Sequence, residues 1–169
     1  MQYQPPKKPA ASLLLASVFL AGAASLLVFS SLGIGKAYLL LASALLLMVL
    51  SFLVITRYVA FDCLYRLGDK YSEPFFSCYV YRGKRFCLVD KIEFIGKEEL
   101  LLLDKKGRKA IKKLPCRRNI TSNLIPKHRY ALLYEDEGKT VYMTVELDST
   151  FATLVKDKIA HAKKLYQDK

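Results

Sequence analysis

Polar positions are spaced very unevenly along this chain. From Pro9 to Gly35, and again from Ala37 to Thr56, there is no Asp, Glu, Lys, Arg or His, and Lys36 alone separates the two stretches. A bilayer core is about 30 Å thick and takes about 20 residues of apolar helix at 1.5 Å each. Ser12–Leu32 and Ala37–Thr56 both reach that length. The pattern predicts a transmembrane helical hairpin over residues 10–58, with spans over 12–32 and 37–56. The connection Ser31-Leu32-Gly33-Ile34-Gly35-Lys36 is short enough to force an antiparallel turn. Residues 1–9, polar and with three prolines, are expected to form a disordered lead. Within the first span Ser17, Ala21 and Ser25 recur every four residues, beside Gly22 and Ala24. Small residues at that spacing let a neighbouring helix approach closely, so the three are candidate helix-packing positions. Their partner is the second span of the same hairpin or another chain.

From Arg57 onward the period shortens. Phe61, Cys63, Tyr65 and Leu67 alternate with more polar positions and read as a strand, ending in a turn at Gly68-Asp69. Two β-rich runs, Phe75–Tyr81 and Arg85–Val89, flank Arg82-Gly83-Lys84 as a hairpin. Phe86, Leu88, Ile92 and Phe94 continue one face, with Asp90 marking a bulge or break. The run Glu98–Asp104 is too short for a free helix and is expected to cross the core. Gly107–Leu114 fits a strand or a short helix equally, and Pro115–Pro126 reads as loop around Thr121-Ser122-Asn123. Tyr130–Tyr134 and Thr140–Leu147 flank an acidic tip, and the second is the cleanest alternation in the chain. An N-cap cluster, Asp148-Ser149-Thr150, then precedes Phe151, Leu154, Val155, Ile159 and Ala162 at helical spacing, which predicts an amphipathic helix over 149–166.

Charge places these elements. Of the formal +12, the first 56 residues carry only Lys7, Lys8 and Lys36. Lys7 and Lys8 precede the first span and Arg57 closes the second, while the hairpin tip holds Lys36 alone. The positive-inside bias therefore predicts a multi-pass protein of the cell membrane with both termini cytoplasmic. A cleaved signal peptide ending at Ala21-Gly22-Ala23 is the competing reading, but it strands the apolar stub Ala24–Leu32 against the second span. The four cysteines, Cys63, Cys78, Cys87 and Cys116, have no Cys-x-x-Cys spacing, and their apolar neighbours suggest buried reduced thiols over two disulfides.

About seven strands followed by one amphipathic helix is the element order of a pleckstrin-homology-like (PH-like) barrel, whose open end the last helix plugs. On that layout the chain resembles small bacterial membrane proteins with a two-helix hairpin and a PH-like domain, including a Firmicute family of the same order. The supporting motifs are Ile55-Thr56-Arg57-Tyr58 leaving the membrane, Leu88-Val89-Asp90-Lys91-Ile92 as a strand, and Val145-Glu146-Leu147-Asp148 before the final helix. The resemblance implies an α+β fold, with a cytoplasmic antiparallel β-barrel or sandwich over residues 59–169. It implies no chemistry, since a fold alone does not carry function.

No set of residues here is spaced for catalysis. His128 sits between Lys127 and Arg129 in a loop, and His161 lies on the final helix. With no Cys or carboxylate cluster at ligand spacing, neither zinc nor any other cofactor is expected. Glu135-Asp136-Glu137-Gly138 lacks the spaced ligands of a calcium loop. Gly33-Ile34-Gly35-Lys36 lacks both the leading glycine and the closing Ser/Thr of a phosphate loop. An enzyme is therefore not expected. The strongest signal is eight cations without an acid among them: Lys105, Lys106, Arg108, Lys109, Lys112, Lys113, Arg117 and Arg118. Such a cluster is either a solvated face or a contact for anionic lipid headgroups or a protein partner. The expected function is a membrane-anchored adaptor or scaffold, with an accessory subunit of a membrane complex as the alternative. Nucleic acid is a weaker partner, because no aromatics for base stacking interleave these cations.

Overall fold

A computed structural model describes residues 1–70, 73–82 and 85–167, with only the backbone of residues 69, 70, 73, 82 and 86. The chain forms two compact units. One is Lys7–Phe61 with Asn123–Ile125; the other is Met1–Pro6, Asp62–Ser122 and Pro126–Lys169.

The elements run β1 (Gln2–Tyr3), α1 (Ala10–Ser31), α2 (Ala37–Tyr58), β2 (Phe61–Lys70), β3 (Glu73–Arg82) and β4 (Arg85–Glu93). They continue with β5 (Glu99–Leu102), α3 (Lys105–Ala110), β6 (Cys116–Ile120), β7 (Arg129–Asp136), β8 (Lys139–Glu146) and α4 (Ser149–Gln167).

The two long helices each have 22 residues, or about 33 Å of axis. Both are long and apolar enough to cross a membrane. Their outward side chains, such as Leu14, Val18, Leu45 and Phe52, are exposed aliphatics and aromatics rather than a polar face. The seam between them is built from small residues, Ser12, Ala16 and Ala23 of α1 with Ala44 and Ser51 of α2, all buried. Ser51 Oγ donates across it to the Ala16 carbonyl at 3.1 Å. A Cβ on Gly22 would stand 3.2 Å from Leu47 Cδ1, so glycine sets the closeness of the helices there. Ser17, Ala21 and Ser25 are not on this seam. All three are exposed, and Ser17 and Ser25 turn their hydroxyls back to the Leu14 and Ala21 carbonyls of their own helix.

Of the expected barrel or sandwich no closed barrel forms: the strands lie in two four-stranded sheets, ordered β1-β2-β3-β4 and β5-β7-β8-β6. All registered pairs are antiparallel except β6–β8, which is parallel. Their inner faces share one core, with Tyr65, Phe76 and Cys78 from the first sheet meeting Leu132, Met143 and Val145 from the second. Phe151, Val155, Ile159 and Ala162 of α4 complete it, and Asp148 caps that helix by accepting the Phe151 N–H at 2.7 Å.

Several expectations change. The N-terminal lead is not disordered: Gln2 and Tyr3 pair with Arg66 and Tyr65, and the Tyr3 ring stacks between Tyr65 and Phe151. Strand β2 does not turn at Gly68-Asp69 but runs on to Lys70, because Gly68 makes room for the Phe75 ring, whose Cζ would lie 2.7 Å from a Cβ. Residues 71–72 and 83–84, and with them most of the expected Arg82-Gly83-Lys84 hairpin tip, lie outside the described residues, as does the Phe86 side chain. The expected bulge is at Val89, since Cys78 pairs with Asp90 and Tyr79 with Leu88. One extra residue inverts the facing, so Leu88 is exposed while Val89 and Ile92 face the core. Glu99–Leu102 forms strand β5 against β7, and Cys116–Ile120 forms β6 where a loop was expected. Cys63 and Cys78 are buried, whereas Cys87 and Cys116 are exposed; all four are free.

Candidate functional site

The eight cations divide into two groups that the fold separates. Six of them, Lys105, Lys106, Arg108, Lys109, Lys112 and Lys113, lie on α3 and the turn after it, and all are exposed. Asp104 nucleates this short helix by accepting the Gly107 N–H at 2.7 Å. Gly107 is required at its place, because a Cβ there would run into the Leu102 carbonyl oxygen. Among the described residues none of the six forms an ion pair. They form a compact cationic knob.

Arg117 and Arg118, on β6, belong to a different environment. Arg117 Nη1 meets Asp136 Oδ2 at 3.0 Å, and Arg118 Nε meets Asp90 Oδ2 at 3.5 Å. Their charge is thereby balanced locally, so one continuous patch of eight does not form.

These two pairs wall a polar cleft of about 230 Å³. Asp90 and Lys91 reach it because the Val89 bulge turns this part of β4. Lys91 holds Glu93 at 2.6 Å on one side, and Lys97 holds Glu135 at 2.8 Å nearby. Glu98 lies beneath, only 2% exposed, its carboxylate taking the Ile95 and Gly96 N–H groups at 2.9–3.1 Å. That bonding closes the tight loop before β5, where Gly96 has φ 86°.

Tyr134 of β7 completes the cleft. It is 8% exposed, and among the described residues its hydroxyl has no hydrogen-bond partner. Burial pushes its phenol up to about 12; Asp90 and Asp136 add to the shift, while Arg117 and Arg118 oppose it. The phenol is therefore neutral, a donor placed among two carboxylates and two guanidiniums. Sequence reading named the two arginines but missed Tyr134, Asp90 and Asp136 as their neighbours. The only signal for the last was an acidic hairpin tip that looks like any solvated turn.

Among the described residues no group of three or more His, Cys, Asp or Glu side chains is disposed to hold a metal ion. No protein-family model, no curated protein and no solved structure matches this chain.

Proposed function

We propose that this protein is a membrane-anchored, non-catalytic adaptor whose β-domain offers the α3 knob to anionic lipid headgroups on the cytoplasmic side. The observation that carries it is the set of six exposed cations, unpaired among the described residues, gathered on a six-residue helix and its turn. Near an anionic leaflet each basic side chain contributes about 1 kcal/mol, decaying over roughly 8–10 Å. Two apolar helices already suffice for anchoring, so this attraction acts on headgroup composition around the domain rather than on retention. The cytoplasmic placement is supported by Lys7, Lys8 and Arg57 against the lone Lys36 at the tip. It is also supported by Met1–Pro6 folding with the C-terminal strands, since segments of one unit share a compartment.

Reconstitution tests the reading. The full chain carrying Cys87→Ser is labelled with a fluorophore at the exposed Cys116, two residues after the knob's closing Leu114. Quenching by headgroup-labelled lipid is then compared in phosphatidylcholine and phosphatidylglycerol bilayers. Stronger quenching with phosphatidylglycerol, lost when the five lysines of the knob become glutamine, is expected. Equal quenching in both bilayers overturns it.

A second reading, an accessory subunit of a membrane complex, is favoured by the exposed Ser17, Ala21 and Ser25 face, which α2 leaves uncovered. Crosslinking in the native membrane that captures no neighbour through this face removes that reading.

A further inference from the structure

Two buried side-chain polar atoms lack a partner among the described residues, Arg129 Nε and the Tyr134 hydroxyl, and the second belongs to the polar cleft. A buried donor without an acceptor is costly and calls for an explanation. Arg118 offers a second opening, because its 3.5 Å contact with Asp90 is at the limit of a hydrogen bond and its side chain is 48% exposed. Its guanidinium retains donors for an incoming oxyanion. A simple anion fits this cleft badly, since five carboxylates line it against three cations. A simple cation fits badly too, since it leaves the Tyr134 donor unmatched.

We propose that the cleft walled by Asp90, Arg117, Arg118, Tyr134 and Asp136 binds a small zwitterion, an oxyanion and an ammonium group on one molecule. Tyr134, Arg117 and Arg118 donate to the oxyanion, and Asp90 and Asp136, which the two arginines then share with the ligand, hold the ammonium. A volume of about 230 Å³ suits a ligand of amino-acid or phosphoethanolamine size, below the roughly 300–1,000 Å³ of sites for larger ligands. The chemistry is shared by a free solute and by the headgroup of an aminophospholipid.

The test uses the full chain in nonionic detergent and titration calorimetry. The probes are O-phosphoethanolamine and glycine, with inorganic phosphate and ethanolamine as the single-charge controls. At least one zwitterion is expected to bind saturably, with both controls at least roughly tenfold weaker, the value of one charge-assisted hydrogen bond. Tyr134→Phe, which removes only the hydroxyl, is expected to weaken binding roughly tenfold without lowering the unfolding temperature. Competition by nanodiscs containing phosphatidylethanolamine assigns the headgroup as the source, and its absence assigns the free solute. No saturable binding of either zwitterion, phosphate binding as tightly as O-phosphoethanolamine, or unchanged affinity in Tyr134→Phe overturns the proposal.

Discussion

The hydroxyl of Tyr65, on β2 of the first sheet, donates to the carbonyl of Ile120, on β6 of the second, at 2.5 Å. It accepts the Glu146 N–H of β8 at 3.1 Å in return. One fully buried side chain thus satisfies two backbone groups on a neighbouring sheet, at the place where β6 and β8 run parallel. Nearby, Ser122 Oγ accepts the Cys63 N–H at 3.1 Å, so the end of β6 and the segment after it are both fastened to β2.

Tyr65→Phe keeps the ring but leaves the Ile120 carbonyl and Glu146 N–H buried without that partner. A loss of about 1–3 kcal/mol per stranded group is the expected range. Urea unfolding followed by near-ultraviolet circular dichroism measures it. An unchanged midpoint would mean the hydroxyl does not hold the sheets together.

Alkaline pH should loosen the β-domain through two further tyrosines. Tyr3 and Tyr134 are each pushed up to about 12, first by burial and then by carboxylates, Asp148 and Glu146 for Tyr3 and Asp90 and Asp136 for Tyr134. An unfolded tyrosine ionises near pH 10, so between about 10 and 12 the unfolded chain has lost protons that the folded chain keeps. Their stability contribution is complete below about pH 10 and is lost as pH rises towards about 12. Each group steepens the fall by at most about 1.4 kcal/mol per pH unit, less for the partly exposed Tyr3. In Tyr134→Phe the slope of the urea midpoint over this window should drop by one proton's worth.

Gly107→Ala separates the shape of the cationic knob from its charge. All six cations remain, but the new methyl group collides with the Leu102 carbonyl oxygen and α3 must shift or unwind. Headgroup-dependent quenching at Cys116 is expected to weaken although the net charge is unchanged. Undiminished quenching would make charge alone sufficient. Gly96→Ala is a contrasting case. It is expected to destabilise the whole domain by about 1–3 kcal/mol, because φ is 86° and a Cβ would lie 3.0 Å from the Lys163 backbone of α4.

Thiol chemistry distinguishes the cysteines. Cys87 and Cys116 should react with a maleimide in the native protein, and Cys63 and Cys78 only after unfolding. Burial pushes the Cys78 thiol well up, which keeps it protonated and unreactive. Mass spectrometry of the labelled protein reads the outcome, and four fast adducts would contradict this packing.

Ala23→Leu and Ala21→Leu test the helical hairpin one turn-face apart. Ala23 is 1% exposed on the seam, and its enlargement should force α1 and α2 apart, whereas Ala21 faces outward and should tolerate leucine. Disulfide trapping between cysteines placed on the two helices compares them.

The helices and the clean strands were legible because each obeys its own local rule. Twenty uncharged residues need no partner to declare a long apolar helix, and strict alternation in Val141, Met143 and Val145 declares a strand whatever it pairs with. Asp148 announced α4 by capping chemistry in the same way. What stayed hidden depended on a partner far off in sequence. β6, Cys-Arg-Arg-Asn-Ile, has no alternation and is a strand because β8 lies alongside it. Gln2-Tyr3 is too short to be read as a strand, and it is ordered by β2 and the Phe151 ring. A single bulge at Val89 inverted the face that periodicity assigned to Leu88. Charge was legible as a sum and illegible as a map. The sequence alone determined that this protein carries two long apolar helices and a basic β-domain. Only the tertiary structure decided that six cations stay exposed while Arg117 and Arg118 meet Asp136 and Asp90 beside Tyr134, because ion pairs form by distance in space.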